Sequence, residues 1–304
     1  MKTALTILAA TDLSAPARHA VERGFRLAAV TGARYSVLHA LELDAMDAMR
    51  AWLGDKLDTV KRKLEDQARE ALAQQLAASS QNVPVDALLV SGAPLAAVVE
   101  RADALDADLL VLGAHGGDFL RHLALGSMAS RLLRKTTRHP VLVVKQVPHE
   151  DYRRVLIPVD FSPVSVRAVR FARRLAPAAD LILMHTYEAP FEGKLSYAGV
   201  EESVIQRYRT AARDDAVRRL RDMAAQAGLE IGDYTPLVVH GDPSQQILEQ
   251  EQERDCDLIV VGKHGQHVTE DLLLGSVTKH VLAESQGDVL VIADVRQAQP
   301  APCP

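Results

Sequence analysis

Cysteine and aromatic residues are scarce in this sequence, and each shortage argues against a class of protein. Only two cysteines, Cys256 and Cys303, occur among 304 residues. A disulfide-stabilised scaffold is therefore not expected, and a reducing cytoplasm is the expected location. Aromatic residues make up 4% of the chain, which leaves few rings for stacking on single-stranded nucleic acid. The core should be aliphatic, as in Val, Ile and Leu strands buried under helices.

Long hydrophobic runs and a large net charge are also missing. No apolar segment approaches the ~20 residues that a membrane-spanning helix needs. The formal net charge of −5 gives no general attraction to nucleic acid or to a membrane surface. The apolar N-terminal segment at residues 4–10 superficially resembles a signal peptide, but a matching segment recurs at residues 155–162. We therefore expect it to form a first strand.

What the sequence does contain is a long internal duplication. Asp12 recurs as Asp160, 148 residues later, and a glycine motif recurs after 149 residues. This period is far longer than that of a solenoid, so it indicates a duplicated domain. We predict domains at residues 1–146 and 151–295, followed at 296–304 by a disordered tail rich in Ala, Gln and Pro.

Strand and helix patterns alternate within each unit. The apolar segments typical of strands in the first unit lie at residues 5–11, 35–40, 85–90, 109–113 and 141–145. Helical spacing separates them, and its longest stretch runs over residues 49–78. This alternation predicts an α/β fold with two tandem, doubly wound, five-stranded parallel sheets.

A glycine loop follows the fourth strand of each unit. It reads Gly113-Ala-His-Gly116, nine residues, Gly126-Ser127, and again Gly262-Lys-His-Gly265, nine residues, Gly275-Ser276. Glycine lets backbone N–H groups approach an anion, and the helix that follows adds the positive end of its dipole. The pattern is neither a Walker loop nor the dinucleotide GxGxxG. The alternative is that the glycines only form tight turns and that Ser127 and Ser276 cap helices, but the duplicated spacing favours phosphate binding.

Asp12 and Asp160 end the first strand of their units. Ligands of open α/β sheets bind beyond the carboxyl ends of the strands. There, an aspartate could accept a hydrogen bond from a ribose hydroxyl or help to hold a divalent cation on phosphates. The alternative is a helix N-cap. The same position in both units favours the functional interpretation.

Histidines occur at two repeated positions. His39 and His185, inside the second strands, are expected to be structural, although the backbone after them could face an adenine edge. His115 and His264 lie within the glycine loops. No carboxylate or nucleophile stands at a recognisable spacing from them, and the histidine spacings match no zinc site.

The two loops differ in charge. Lys263 adds a cation where the first unit has Ala114, but Glu270 and Asp271 add negative charge where the first unit has Leu120 and Arg121. Arg121 and His122 flank the first loop. We expect the first site to bind an anion more tightly.

Together these motifs resemble the universal stress protein family. The resemblance rests on the Gly-x-x-Gly, nine residues, Gly-Ser spacing, the first-strand Asp-x-Ser and the Pro-Val-Leu-Val-Val strand at residues 140–144. It covers nearly the whole chain in two copies. It implies sheets of strand order 3-2-1-4-5, and it implies binding of ATP or another adenine nucleotide with Mg or Mn. It further implies a role in stress survival or signalling, with at most slow ATP hydrolysis or autophosphorylation.

The resemblance also implies two nucleotide sites by position. The first comprises Ala10, Asp12, Ala40, Gly113, His115, Gly116, Gly126, Ser127 and Met128. The second comprises Pro158, Asp160, Thr186, Gly262, His264, Gly265, Gly275, Ser276 and Val277. Asp12 and Asp160 would hold the metal. The first copy departs from the usual pattern at residues 10–11 and 128–129, which affects the adenine side of its site.

Members of this family often pair through the fifth strand, and an unpaired strand edge is a liability. We predict that the two units form an intramolecular pseudo-dimer through these strands, and that two chains associate further as a homodimer. The expected function is a nucleotide-dependent stress-response switch with an unknown signalling partner. The alternatives are a partner-binding module with empty loops and, least favoured because no catalytic base is recognisable, an adenine-nucleotide hydrolase.

Overall fold

A single ten-stranded sheet runs through the molecule. The computed structural model describes residues 4–79, 81–114, 125–135, 138–187, 197–198, 200–265 and 274–293. His115 and Gly116 of the first predicted site, the flanking Arg121 and His122, and the predicted tail at 296–304 lie outside these residues.

The two halves of the chain have the same order of elements. The first half forms β1 (Thr6–Thr11), α1 (Ala15–Thr31), β2 (Arg34–Leu41), a 3-10 helix (Asp44–Met49), α2 (Arg50–Leu53), α3 (Lys56–Ala77), β3 (Val85–Ser91), α4 (Pro94–Leu105), β4 (Leu109–Gly113), α5 (Ser127–Lys135) and β5 (Val141–Val144). The second half forms β6 (Arg154–Pro158), α6 (Pro163–Leu175), β7 (Asp180–Tyr187), α7 (Glu202–Ala227), β8 (Tyr234–His240), α8 (Pro243–Glu253), β9 (Leu258–Gly262), α9 (Ser276–Glu284) and β10 (Asp288–Ile292).

The strand order confirms the predicted topology. It is β3-β2-β1-β4-β5-β10-β9-β6-β7-β8, so each half has the order 3-2-1-4-5 counted toward the middle of the sheet. Strands within each half are parallel, with Ile7 opposite Leu109 in the first half and Val155 opposite Leu258 in the second. These are the doubly wound sheets that the alternation of strands and helices predicts.

The predicted pseudo-dimer is also confirmed, because β5 pairs with β10. The pairing is antiparallel, with Val143 opposite Val289 and Val141 opposite Val291. Since all strands of one half therefore run opposite to those of the other, the carboxyl ends of the two halves face opposite edges of the sheet. Any two ligand sites at the carboxyl ends must lie on opposite edges.

Local sequence explains where most helices begin, with one correction. Ser14 is the N-cap of α1, and its hydroxyl accepts a hydrogen bond from the Ala17 N–H at 3.3 Å, as its place in the sequence predicts. Helical spacing over residues 49–78 predicts helix there, and α2 and α3 both lie in that segment, but Gly54, with a φ of 51°, separates them into two helices. Among the described residues, no helix has both the length and the apolarity to cross a membrane.

Aliphatic side chains pack on both faces of the sheet. One face is covered by α1, α3, α6 and α7, with Phe25 and Leu220 buried there, and the other by α4, α5, α8 and α9, with Leu132 and Val281 buried there. Both clusters run across the joint between the halves. Each fully buried Leu or Val contributes about 1.5–3 kcal/mol, so the joint is stabilised by a hydrophobic cluster on each face of the sheet.

Asp288, the first residue of β10, joins the halves through a buried polar network. Its side chain is 1% exposed and accepts hydrogen bonds from Arg23 Nε at 3.1 Å, Tyr152 Oη at 2.6 Å and the Lys145 N–H at 2.9 Å. The Arg23 guanidinium lies 4.2 Å from the centre of the Tyr152 ring. Burial and the Asp288 carboxylate raise the pKa of Tyr152 well above its usual value, so the phenol donates at neutral pH.

Replacing Asp288 tests how much this network stabilises the molecule. Asp288→Ala leaves the Arg23 cation buried without this carboxylate, which should cost about 3–5 kcal/mol of unfolding free energy. The matched control is Asp151→Ala, since Asp151 is 60% exposed and lies 3.8 Å from Arg26. An ion pair with its carboxylate exposed and its charges 3.8 Å apart should contribute at most about 1 kcal/mol. Equal losses for the two variants in urea unfolding would contradict the role assigned to Asp288.

Candidate functional site

A cleft of about 440 Å³ lies at the carboxyl edge of the first half. We call it the first cleft; it is formed by the ends of β1, β2 and β4 and the beginnings of α4 and α5. All the described residues of the first predicted site line it: Ala10, Asp12, Ala40, Gly113, Gly126, Ser127 and Met128. The cleft lies at the switch point between β1 and β4, where open α/β sheets bind ligands.

A second cleft, of about 330 Å³, lies at the corresponding place in the second half. All nine residues of the second predicted site line it: Pro158, Asp160, Thr186, Gly262, His264, Gly265, Gly275, Ser276 and Val277. Both volumes are within the range of small-molecule sites, roughly 300–1,000 Å³. Since the halves are antiparallel, the two clefts open at opposite edges of the sheet.

Asp12 and Asp160 occupy the same turn in the two clefts. Each carboxylate accepts a hydrogen bond from the N–H two residues later, Ser14 N or Ser162 N, at 3.0 Å. The N-caps of α1 and α6 are Ser14 and Ser162. The alternative that the aspartates are N-caps is therefore wrong, and both carboxylates lie in the cleft walls.

The residue after each aspartate has an unusual backbone conformation. Leu13 has a φ of 65° and Phe161 a φ of 63°, in a region that bulky residues rarely adopt. Phe161 is held by the His185 ring, with centroids 4.1 Å apart, and by the Arg219 guanidinium, 4.2 Å from its ring centre. Strain of this kind concentrates at functional sites, and here it occurs in the turn whose next N–H, at Ser14 or Ser162, donates to the aspartate carboxylate.

The second aspartate has an additional hydroxyl partner. Ser165 Oγ donates to Asp160 Oδ1 at 2.7 Å, whereas Ala17 stands at the corresponding position beside Asp12. Burial by itself would raise the pKa of Asp160, but the hydrogen bonds from Ser162 and Ser165 outweigh it and hold the pKa below its usual value. Asp160 is therefore an anion at neutral pH.

The helix after each glycine loop points its first turn into a cleft. Gly126 N donates to Ala114 O at 2.7 Å, and Gly275 N donates to Lys263 O at 3.0 Å, which fixes the start of each helix against the end of the fourth strand. The N–H groups of a first helical turn have no carbonyl acceptor within the helix. Gly275, not Ser276, is the N-cap of α9, so the expected capping role does not apply to Ser276.

The histidines of the second strands differ in their surroundings from the described histidine of the glycine loops. His39 Nδ1 lies 2.9 Å from Thr11 O and His185 Nδ1 2.8 Å from Val159 O, so both rings have structural partners. Burial lowers the pKa of His185, and Arg219 lowers it further, against the opposing effects of the Val159 carbonyl and Asp160. His264 lines the second cleft, and its buried Nε2 has no hydrogen-bond partner among the described residues.

Lys263 does not add a cation to the second cleft, contrary to expectation. Its side chain is buried, and Nζ donates to Arg134 O of α5, in the other half, at 3.2 Å. The expectation of tighter anion binding at the first site rested on Arg121 and His122, which lie outside the described residues. It stays a prediction.

The beginning of the helix after the third strand also lines both clefts, which sequence reasoning missed. Pro94 of α4 faces the first cleft and Pro243 of α8 the second. A signal was present, because a Gly-x-Pro sequence at residues 92–94 recurs at 241–243. Both of its glycines have a positive φ, 128° and 129°, which favours glycine at this turn.

The donor groups of the clefts fit a divalent cation that shares its coordination with phosphates. Each cleft offers one first-strand carboxylate, Asp12 or Asp160, and the described residues contain no cluster of three metal-ligating side chains. Mg²⁺ is usually held by one or two carboxylates together with substrate phosphates and waters. The clefts suit a metal that arrives with phosphates.

Comparison with known proteins identifies the family. The model of the universal stress protein family matches residues 4–145 and again residues 151–293. The chain belongs to the universal stress protein family. The two matches correspond to the two halves of the sheet, so each half is one universal stress protein domain.

Individual relatives are similar over one or both domains. Universal stress protein Rv2005c of Mycobacterium tuberculosis is 26% identical over 239 residues, 75% of this chain and 77% of its own length. Universal stress protein MJ0577 of Methanocaldococcus jannaschii is 26% identical over 156 residues, 46% of this chain and 94% of its own. The crystal structure of a universal stress protein from Archaeoglobus fulgidus has a TM-score of 0.67 and 20% identity, covering 95% of this chain and 98% of that one. The last comparison shows the shared fold alone.

The Ser165 contact can be tested by titration. Ser165→Ala removes the hydroxyl that stabilises the ionised Asp160, so the pKa of Asp160 should rise toward its usual value. Carboxyl ¹³C NMR of both proteins measures this shift, with Asp12 as an internal control in the other half. An unchanged pKa of Asp160 would contradict the stated cause.

Proposed function

We propose that this universal stress protein binds an adenine nucleotide, ATP with Mg or Mn, in each cleft and acts as a nucleotide-dependent stress-response or signalling protein. One observation carries the proposal. In both halves the first-strand aspartate, the fourth-strand glycine and the first turn of the Gly-Ser helix converge on one cleft. Convergence of a helix N-terminus and a glycine suits an anion, and the aspartate suits a ribose or a metal.

Each part of the nucleotide has a matching part of the cleft. The phosphates would lie on the first-turn N–H groups of α5 or α9. The base would pack between aliphatic walls, Leu38 and Val98 in the first cleft and Met184 and Ile247 in the second. The backbone at Ala40 and Thr186 lies beside these walls and would meet the edge of the adenine.

The aspartates would carry the metal or the ribose. Asp160 faces Gly265 of the glycine loop, since a Cβ added there would lie 3.6 Å from Asp160 Oδ2, so the carboxylate and the loop border the same space in the cleft. Asp12 would play the same part in the first cleft. The metal would neutralise phosphate charge, and we propose a binding protein with at most slow hydrolysis.

The proposal extends to the cellular setting. We propose a cytoplasmic protein, a further homodimer of the pseudo-dimeric chain, and a signalling partner that responds to the bound nucleotide. The described cysteine, Cys256, is a free buried thiol, and burial raises its pKa to about 11. Such a thiol is unreactive and agrees with a reducing compartment.

A partner-binding module that works without nucleotide is the second candidate. It is favoured by exposed aromatic side chains in the segments that follow β2 and β7: Trp52 is 89% exposed and Tyr197 96% exposed. Exposed aromatic residues are enriched at protein interfaces. This candidate differs from the first because its clefts would take up no nucleotide.

Nucleotide released from the denatured, purified protein distinguishes the candidates. The protein is first incubated with Mg-ATP and desalted, and the released nucleotide is measured by HPLC. Gly126→Asp and Gly275→Asp each place a carboxylate in one cleft, so each should lose about half of the bound nucleotide because like charges repel.

The control variants are Gly126→Ala and Gly275→Ala. An added Cβ at Gly275 meets no atom closer than 3.5 Å, the distance to Lys263 O, so the alanine fits and most binding should remain. Failure of the wild-type protein to retain any adenine nucleotide would reject the proposal and favour the partner-binding module. A loss at only one of the two aspartate variants would assign binding to one domain.

A further inference from the structure

The two Gly-Ser helices, α5 and α9, lie side by side at the joint between the domains. Ser130 and Arg134 of α5 share a groove with Lys279 and Leu282 of α9. The N-terminal turns of the helices line clefts at opposite edges of the sheet. The C-terminal end of each helix therefore lies toward the edge that holds the other cleft.

Lys263 connects the second cleft to the helix of the first cleft. It stands between Gly262 and His264, which both line the second cleft. Its side chain is 2% exposed, and Nζ donates to Arg134 O at 3.2 Å. That carbonyl is in the last turn of α5, where carbonyl oxygens receive no hydrogen bond from N–H groups of the same helix. This turn is also the negative end of the helix dipole.

Lys145 makes the reciprocal connection. It follows β5, whose last residue, Val144, accepts a hydrogen bond from Ala114 at the first cleft. Its Nζ donates to Leu282 O at 2.9 Å, Ser285 O at 2.7 Å and Ser285 Oγ at 2.9 Å, at the C-terminal end of α9. Burial lowers the pKa of Lys145 to about 8, against the raising effects of Glu251, Asp288 and Glu284. The ammonium is therefore mostly charged at pH 7.

The two lysines are not copies of each other. Alignment of the units places Ala114 opposite Lys263 and Ala293 opposite Lys145. Each domain thus supplies one ammonium to the other from a different position. Because the two lysines occupy non-equivalent positions, duplication of one domain cannot by itself have produced both contacts. The contacts belong to the interface between the two domains.

A buried cation at the C-terminus of a helix and an anion at its N-terminus both interact favourably with the helix dipole. Helices of nine residues are roughly 13.5 Å long, and charges are poorly screened in the protein interior. The ammonium stabilises the negative end of the dipole and fixes the helix, whose positive end faces the cleft. Removing the ammonium should weaken anion binding at the far end.

We propose that Lys263 and Lys145 are positioning residues that act across the domain joint: Lys263 supports phosphate binding in the first cleft, and Lys145 supports it in the second. Each lysine stands beside one cleft and acts on the other. This inference rests on the proposed nucleotide binding, and it assigns a dependence of each site on the opposite domain.

Affinity for Mg-ATP at single sites tests the inference. Gly275→Asp leaves only the first cleft, and Gly126→Asp leaves only the second. Lys263→Met is combined with each of them, and dissociation constants are measured by calorimetry at pH 7. Lys263→Met should weaken the first cleft roughly two- to fivefold, the fold-change that corresponds to a charge at a helix end, and should leave the affinity of the second cleft unchanged.

The control removes an exposed cation from the same helix end. Lys135, in the last turn of α5, is exposed, and Lys135→Met should change neither affinity more than twofold. Lys263→Arg should restore the first cleft, since the cation is kept. Lys145→Met, measured with Gly126→Asp, gives an independent test at the second cleft if Lys263→Met does not fold.

The outcomes separate the inference from the function on which it rests. Failure of the wild-type protein to bind Mg-ATP removes the proposed function. Binding with unchanged affinities, or a larger loss at the second cleft than at the first for Lys263→Met, overturns the inference and leaves the proposed function intact.

Discussion

The antiparallel pairing of β5 with β10 is the constraint on which the rest of the molecule depends. It joins two strands that would otherwise be open edges, the places where sheets aggregate. It makes two five-stranded sheets continuous, so that each hydrophobic cluster extends over both domains. It also reverses the second domain relative to the first. The two clefts consequently lie on opposite sides of the molecule, each at the carboxyl ends of the strands of its own domain. The C-terminal end of each Gly-Ser helix comes within reach of a lysine from the other domain.

The joint combines apolar pairing with buried charge. The pairing of Val, Leu and Ile strands supplies affinity between the domains, but it is nearly symmetric. Asp288 breaks this symmetry, because Pro140 stands at the corresponding position in the first domain and has neither a carboxylate nor an N–H donor. The contacts of Asp288 with Arg23 and Tyr152 therefore fix one arrangement of the domains, as buried polar contacts can when every member is satisfied.

Most of the fold and of the candidate site could be predicted because the sequence motifs that specify them occur in both domains. Buried strands, glycine loops and Gly-Ser helix starts each occur twice, and the described residues of both predicted sites line one cleft each. What could not be predicted depends on long-range contacts. The direction of the Lys263 side chain is set by Arg134 of the other domain, and no local pattern encodes that contact. The break at Gly54 was missed because helical spacing continues on both sides of a single glycine.

The positive φ of Leu13 and Phe161 shows the same limit at the site itself. Sequence preferences place glycine or asparagine in this region, so a leucine and a phenylalanine give no warning. Packing holds the Phe161 ring against His185 and Arg219, and the turn directs the neighbouring carboxylate. The two candidate sites are thus built by tertiary contacts on a local pattern that alone specifies only a strand, a turn and a helix.

A crystal structure of the chain grown with Mg-ATP would test the central claim most directly, namely that both clefts are nucleotide sites. We expect phosphates at the first turns of α5 and α9, with the adenine between the aliphatic walls of each cleft. Two empty clefts at saturating nucleotide, or nucleotide bound away from the Gly-Ser helices, would contradict it.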